Sequence, residues 1–341
     1  MDWVRSLLKL ALLAVAALAL WLAWGLLLPA QPGQEQLVLL RPGWSTRRIA
    51  AELSNAGVIR SSSTFLLYHY VIKPRSLKAG EYKFDHAANA LQIHARLVRG
   101  DIFKRTVVVP EGFNMFEIAA AVENAGLGPG SEFLKAAIAN ATMVRDLDPQ
   151  AKSLEGYLFP ATYEFSRIES MTDIVGVMVH RFRREAGDLG LLPTGNNAHG
   201  PTPPGTDLHD LVTLASIVEK ETAAPEERPL VAGVYSNRLA KGMALDADPC
   251  LLYAARLAGH YDGAIYRSDL QSDSPYNTYK HSGLPPGPIA NPGREALKAA
   301  RNPAASPYLY FVSDGNGHHR FSRTLNEHFH NVALYRRAVA R

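Results

Sequence analysis

Nineteen consecutive residues without a charge, Leu10 to Leu28 (LALLAVAALALWLAWGLLL), constrain this chain more than any other feature. As a helix rising about 1.5 Å per residue, the run nearly spans a hydrocarbon layer of about 30 Å. Arg5 and Lys9 precede it, whereas Pro29 to Gln34 carries no positive charge. The bias of positive charge to the cytoplasmic side predicts a cytoplasmic tail over 1–9, a transmembrane helix over 10–28 and everything later outside. A removed signal peptide is the competing reading. The run is longer than the usual apolar core of such peptides, about 7–15 residues, and Leu28-Pro29-Ala30 is a poor small-x-small cleavage site. The sequence therefore predicts a single-pass, membrane-anchored protein.

The remaining 300 or so residues suffice for two domains. With 47% hydrophobic residues and a net charge of 36 − 32 = +4, extended disorder is excluded. No dense Lys/Arg run with interleaved aromatics occurs, so nucleic acid is not an expected partner. The single cysteine, Cys250, excludes an internal disulfide and Cys-based zinc clusters.

An internal repeat organises the first half. Arg41 onward reads RPGWSTRRIAAELSNAGVI and Pro110 onward reads PEGFNMFEIAAAVENAGL. At a spacing of 69, Gly43/Gly112, Ile49/Ile118, Ala50/Ala119, Ala51/Ala120, Asn55/Asn124, Ala56/Ala125 and Gly57/Gly126 are identical. Each copy predicts a short apolar strand, a Gly turn, an amphipathic helix and a Gly suited to a left-handed C-cap. This grammar resembles the LysM module, which binds peptidoglycan or chitin glycan; a generic β-turn-α packing unit used twice reads equally well. Further helices are expected over Ser61–Ile72, Ala90–Val98, Ser131–Ala141 and Thr172–Glu185, with a strand pair turning at Gly80. Gly190 to Gly205, dense in Pro, Gly and Asn, reads as an exposed loop. The predicted class is α+β: a transmembrane helix, LysM-like βα subdomains and a mixed α/β catalytic domain. The predicted boundaries are a membrane-proximal module with the first repeat over 36–103, the second repeat over 104–150 and the catalytic domain over 151–341.

Four segments combine polar residues with tight-turn residues, as sites on a scaffold do. They are SLEGYLFPATYEF from Ser153, DLHDLVTLASIVEKET from Asp207, NRLAKGMALDADPCLLY from Asn237 and YNTYKHSGLPPGPIANPG from Tyr276. The last reads as a fixed surface loop displaying Tyr276, Asn277 and Tyr279. On a helical wheel, Leu211, Val212, Leu214, Ala215 and Val218 form an apolar stripe, and Glu219 falls inside it. Glu221 lies about 160° away from Glu219, so the two carboxylates cannot share one substrate bond. Two readings of Glu219 remain open on the wheel alone. Apolar surroundings raise a carboxyl's pKa, as a general acid near neutral pH requires; alternatively, its head reaches solvent near the helix end.

Competing chemistries have less support. His318-His319 and His328-x-His330 suggest a metal site, but no HExxH helix is present, and Asp314 to Gly317 reads as a hairpin turn. Neither a G-x-S-x-G elbow nor a Gly-rich phosphate loop occurs.

Together, EGYLFPATYEF at Glu155, LASIVEKET at Leu214, NRLAKGMALDADP at Asn237, YNTYKHSGLPPGPIANPG at Tyr276 and YLYFVSDGNGHHRFSRTLNEH at Tyr308 resemble the endolytic murein transglycosylase (YceG-like) family, in order and over nearly the whole chain. The resemblance implies a bacterial inner-membrane protein with a periplasmic catalytic part. The implied reaction cleaves the β-1,4 bond between N-acetylmuramic acid and N-acetylglucosamine in nascent glycan strands. It implies Glu219, the first Glu of IVEKET, as the catalytic residue, and no metal or organic cofactor. Implied partners are peptidoglycan strands, penicillin-binding proteins and the elongation machinery. For the substrate groove we expect Glu155, Tyr157, Asp248, Asn277 and Tyr279, since sugar rings stack on aromatic faces while hydroxyls seek acceptors; turn capping or local packing is the alternative for each. The chain departs from the family's Gln-Ser/Thr-Asp-Pro-Thr pattern at Asp246-Ala247-Asp248-Pro249-Cys250. An Asp246 lining the cleft would raise the pKa of Glu219. Two other readings remain: a lysozyme-type hydrolase pairing Glu219 with Asp246 or Asp248, and a non-catalytic peptidoglycan-binding scaffold.

Overall fold

A computed structural model describes residues 2–192 and 207–339, so the expected Gly190–Gly205 loop lies almost wholly outside the described residues. The described residues divide into two compact units, one running to Thr106 and including Glu164–Glu169, the other comprising Val107–Tyr163 and Ser170 onward. Helix and strand are mixed, as expected.

The first unit begins with α1 (Asp2–Leu26), whose apolar span is long enough to cross a membrane. It continues through β1 (Gln36–Leu40), α2 (Thr46–Asn55), α3 (Ser62–Leu67), β2 (Gly80–Phe84), α4 (Ala90–Arg99) and the start of β3 (Arg105–Val108). A π-helical turn, Tyr68–Ile72, prolongs α3. β1 and β2 are antiparallel, with Gln36 opposite Phe84 and Leu40 opposite Gly80. The expected strand pair around Gly80 is therefore a single strand paired with β1. Lys78 is instead bound to the end of α4, its N–H donating to the Leu97 carbonyl. Alternate residues of β1, Val38 and Leu40, join Ile49, Leu53, Phe65 and Tyr82 in the core, as the two-residue strand period requires.

The second unit holds α5 (Met115–Asn124), α6 (Gly130–Ala139), part of β4 (Thr162–Phe165), α7 (Met171–Asp188), α8 (Leu208–Glu221), α9 (Arg228–Ala240), α10 (Asp248–Leu257), α11 (Arg267–Gln271), α12 (Arg294–Arg301), β5 (Tyr310–Ser313), β6 (His319–Ser322) and α13 (Leu325–Val339). α8 packs against α9, α10 and α12. Every residue from Leu211 to Val218 is buried, Thr213 and Ser216 included. The one-sided apolar stripe expected for this helix is thus corrected: neighbours enclose it on all sides. Ser216 tolerates burial because its hydroxyl donates to the Thr213 carbonyl at 2.7 Å and accepts the Ile289 N–H at 3.0 Å. β5 and β6 form the hairpin expected around Asp314–Gly317.

The sequence repeat is also a conformational repeat. Gly43 and Gly112 turn at φ 80° and 78°, and Gly57 and Gly126 at φ 68° and 73°. Ser45 and Asn114 cap helices of ten residues each by accepting first-turn N–H groups. A second helix follows in each copy, α3 or α6, and then a strand that pairs with the first, β2 with β1 and β4 with β3.

Candidate functional site

Glu219 sits in the last turn of α8, and its side chain is only 4% exposed. Its Oε2 accepts the backbone N–H of Gly293 at 2.9 Å, and its Oε1 accepts from the Arg228 guanidinium at 2.6 Å. Gly293 is the N-cap of α12 and Arg228 the first residue of α9. Burial raises the pKa of Glu219, opposed by the Gly293 N–H and the Arg228 charge and assisted by the charge of Glu111. The reading in which this carboxyl reaches solvent is therefore corrected. The result is a carboxyl biased toward holding a proton, with a donor and a cation in place to stabilise the carboxylate once the proton leaves.

Glu111 is the second carboxylate here. It lies 3.5 Å from the Arg228 guanidinium and is half exposed. A Cβ on Gly293 would occupy the space of the Glu111 carboxyl, and one on Gly112 would touch Cγ of Glu219 at 3.4 Å. The site is thus built where two glycine backbones let two carboxylates approach one arginine. Nε of Arg228 is buried without a hydrogen-bond partner.

Asn291, wholly buried, pins this arrangement. Its Nδ2 donates to the Phe113 carbonyl and to Glu155 Oε1, at 2.9 and 2.8 Å, while its Oδ1 accepts the Leu158 N–H at 2.8 Å. Its backbone accepts from Gly112 and donates to Phe113. The turn carrying Glu111 and the loop carrying Gly293 are therefore one hydrogen-bonded block.

The expected groove residues separate into two groups. Glu155 is 3% exposed and accepts from the Met115 N–H, Tyr253 and Asn291. Burial pushes its pKa up to about 7, against these donors. Tyr157 is fully buried, donating to Asp148 at 2.6 Å. Asn277 is fully buried as well, its amide donating to the carbonyls of Asp269, Leu270 and Ser272. The expected display of Asn277 on the loop surface is thus corrected; it ties the loop down. Asp248 and Tyr279 are exposed and meet each other, the phenol donating to Asp248 Oδ1 at 2.6 Å.

Asp246 pairs with Arg238 at 2.9 Å and is not among the charges weighing most on Glu219. Its own neighbours are Arg238 and, through charge, Tyr279. His319 is engaged by Glu227 at 2.7 Å and His328 stacks on Tyr310.

A family model described as the YceG-like family matches residues 38–334. The chain belongs to the YceG-like family. An endolytic murein transglycosylase of Bacillus subtilis is 33% identical over 302 residues, covering 84% of this chain and 81% of that protein. One of Streptococcus pneumoniae is 30% identical over 340 residues, covering 90% of this chain and 60% of the longer relative. The crystal structure of a YceG-like protein from Listeria monocytogenes superposes with a TM-score of 0.58 at 33% identity, covering 87% of this chain and 99% of that one.

In this YceG-like chain, sequence reasoning missed Glu111 and Arg228, although both left signals. Position 111 aligns with Pro42 in the first repeat, so the carboxylate appears where the two copies diverge. Arg228 opens a helix, where a cation opposes the helix dipole; the carboxylates it meets supply the compensating reason.

Proposed function

We propose that this chain is a membrane-anchored lytic transglycosylase acting on peptidoglycan strands, with Glu219 as its general acid and base. The observation that carries the reading is the buried Glu219 carboxyl held between the Gly293 N–H and Arg228, in a chain akin to proteins named endolytic murein transglycosylase. Protonated Glu219 gives its proton to the glycosidic oxygen between N-acetylmuramic acid and N-acetylglucosamine. As carboxylate, it then takes the proton of the muramoyl C6 hydroxyl while that oxygen attacks C1 and closes a 1,6-anhydro ring. One carboxyl suffices because the substrate supplies the nucleophile, where ordinary glycosidases use two carboxylates. Holding the C6 hydroxyl near C1 is a proximity effect. Asp248 and Tyr279 offer an acceptor and an aromatic face to the sugar, while Glu155, Tyr157 and Asn277 hold the surrounding backbone.

In this reading α1 anchors the protein in the inner membrane with its N-terminus cytoplasmic and its remainder periplasmic. The two β-α-α-β copies act as LysM-like glycan contacts; the first has a groove of about 760 Å3 lined by β1, α2, Trp44 and Arg48. The catalytic region takes the chain from 151 onward, supported by the Glu111 turn of the second copy. Penicillin-binding proteins and the elongation machinery are its proposed neighbours.

Hydrolysis by water is a second reading, favoured by one observation: Glu111 supplies a second carboxylate beside Glu219, whereas Asp246 is engaged by Arg238 and Asp248 by Tyr279. Mass spectrometry of uncrosslinked glycan strands after digestion separates the two. Internal fragments ending in 1,6-anhydro-muramic acid support the transglycosylase. Fragments heavier by one water make the enzyme a hydrolase, and intact strands leave only a glycan-binding scaffold.

A further inference from the structure

The first unit carries an exposed apolar tip that no part of the proposed reaction uses. Tyr70, Val71 and Ile72, in the π-helical turn after α3, are 55%, 70% and 63% exposed. Lys73 and Arg75 follow immediately, both exposed.

The position of this tip relative to α1 identifies what covers it. Arg60, just before α3, donates to the carbonyl of Pro29, beyond the end of α1. Four residues on, Thr64 fills the space that a Cβ on Gly25 would need. Another turn on, Tyr68 packs on the same core cluster as Leu22. As the numbers rise along α3 they fall along α1, so α3 runs antiparallel to α1, back toward the apolar span. From Thr64 to Val71 the chain descends about 10 Å at the helical rise, which brings Tyr70–Ile72 level with about Ala17 to Ala19.

That level lies one to two helical turns along α1 on the lipid side of Trp21 and Trp24. Trp21 and Trp24 project outward from α1, and Trp is enriched at the headgroup layer. Gly25 and Leu26 are buried against the first unit, while Leu27 and Leu28 beyond them are exposed, so one face of α1 is covered by protein from Gly25 on. His69, whose Nδ1 lies 3.2 Å from Nε2 of His94 on α4, holds the turn in place.

We propose that Tyr70, Val71 and Ile72 are a second membrane contact, inserted at the outer headgroup–acyl boundary, with Lys73 and Arg75 set against lipid phosphates. Apolar side chains flanked by cations suit that boundary, where the apolar groups meet acyl chains and the cations meet anionic headgroups. The contact fixes the orientation of the first unit on the bilayer, where a single helix alone would leave it free to tilt. The inference rests on the reading that α1 spans a membrane.

Site-specific fluorescence on the full chain tests both readings separately. Cys250 is wholly buried, so Leu13→Cys, Val71→Cys and Val177→Cys can each be labelled with an environment-sensitive nitrobenzoxadiazole probe against an unsubstituted background. The proteins are reconstituted into vesicles of phosphatidylethanolamine and phosphatidylglycerol carrying doxyl lipids at shallow or mid-chain depth. The expected result is quenching at position 13 from mid-chain doxyl. At position 71 emission shifts to the blue of that at 177, with stronger quenching by the shallow doxyl lipid. Quenching at 13 with an emission at 71 matching 177 overturns the second contact and leaves the anchor standing. No quenching at 13 removes the anchor, and the second contact with it.

Discussion

Replacing Arg228 by Met keeps most of the stem's volume and removes the charge that balances Glu219. The two side chains are 8% and 4% exposed, with 2.6 Å between guanidinium and carboxylate. Removing one partner of a buried pair costs about 3–5 kcal/mol. Glu219 retains the Gly293 N–H, which places the expected loss near the lower end, about 3 kcal/mol. For a unit of this size that corresponds to a fall in Tm of about 6–12 °C. The loss carries a pH signature. Arg228 lowers the pKa of Glu219 against burial, so in the variant the folded carboxyl keeps its proton to higher pH than in the wild type. A folded pKa raised above the unfolded value means that stability falls as pH rises between the two. The gap between variant and wild type therefore opens only above the wild-type Glu219 value and closes in acid, where both forms are protonated. Thermal melts of both proteins at roughly pH 4 and pH 8 read this directly. A Tm deficit equal at both pH values would assign the loss to packing and refute the charge argument; no deficit at either would show that the pair contributes nothing.

Gly293→Ala has an ordinary backbone, φ −78°, but its Cβ would displace the half-exposed Glu111 carboxyl. We expect stability within about 1 kcal/mol of wild type and glycan cleavage down about tenfold, equivalent to about 1.4 kcal/mol; unchanged cleavage removes Glu111 from the site. Glu155→Gln removes a buried carboxyl whose pKa is pushed up to about 7, above its unfolded value of about 4.3. The wild type thus loses about 3–4 kcal/mol from this group as pH rises through that window, so the variant gains on it in melts from pH 5 to 8, and a constant offset contradicts this. Tyr279→Ala removes an aromatic face at an exposed position, together with one bond to Asp248; KM for glycan should rise, and an unchanged KM takes Tyr279 out of the groove.

The repeat was legible in the sequence because its determinants are local: two left-handed glycines and a polar N-cap act within a few residues. The position of Glu219 near a helix end was legible for the same reason. Its surroundings were not. A wheel assumes one buried face, but α9, α10 and α12 enclose α8, and only tertiary packing decides that. Arg228, Gly293 and Glu111 come from three distant parts of the chain; backbone contacts at Asn291 join the turn of Glu111 to the loop of Gly293, and Arg228 joins them through Glu219 and Glu111. Glu155, Tyr157 and Asn277 stand out in the sequence because polar groups among Gly and Pro serve turns as readily as substrates; their burial was not legible, because tertiary packing sets it.

The most direct test of the central claim compares wild type with Glu219→Gln on uncrosslinked glycan strands, both shown to melt cooperatively. Gln keeps an acceptor for the Gly293 N–H but has no proton to give. The account predicts anhydro-ended fragments from the wild type and none from the variant. A folded Glu219→Gln that still releases them would place the general acid elsewhere.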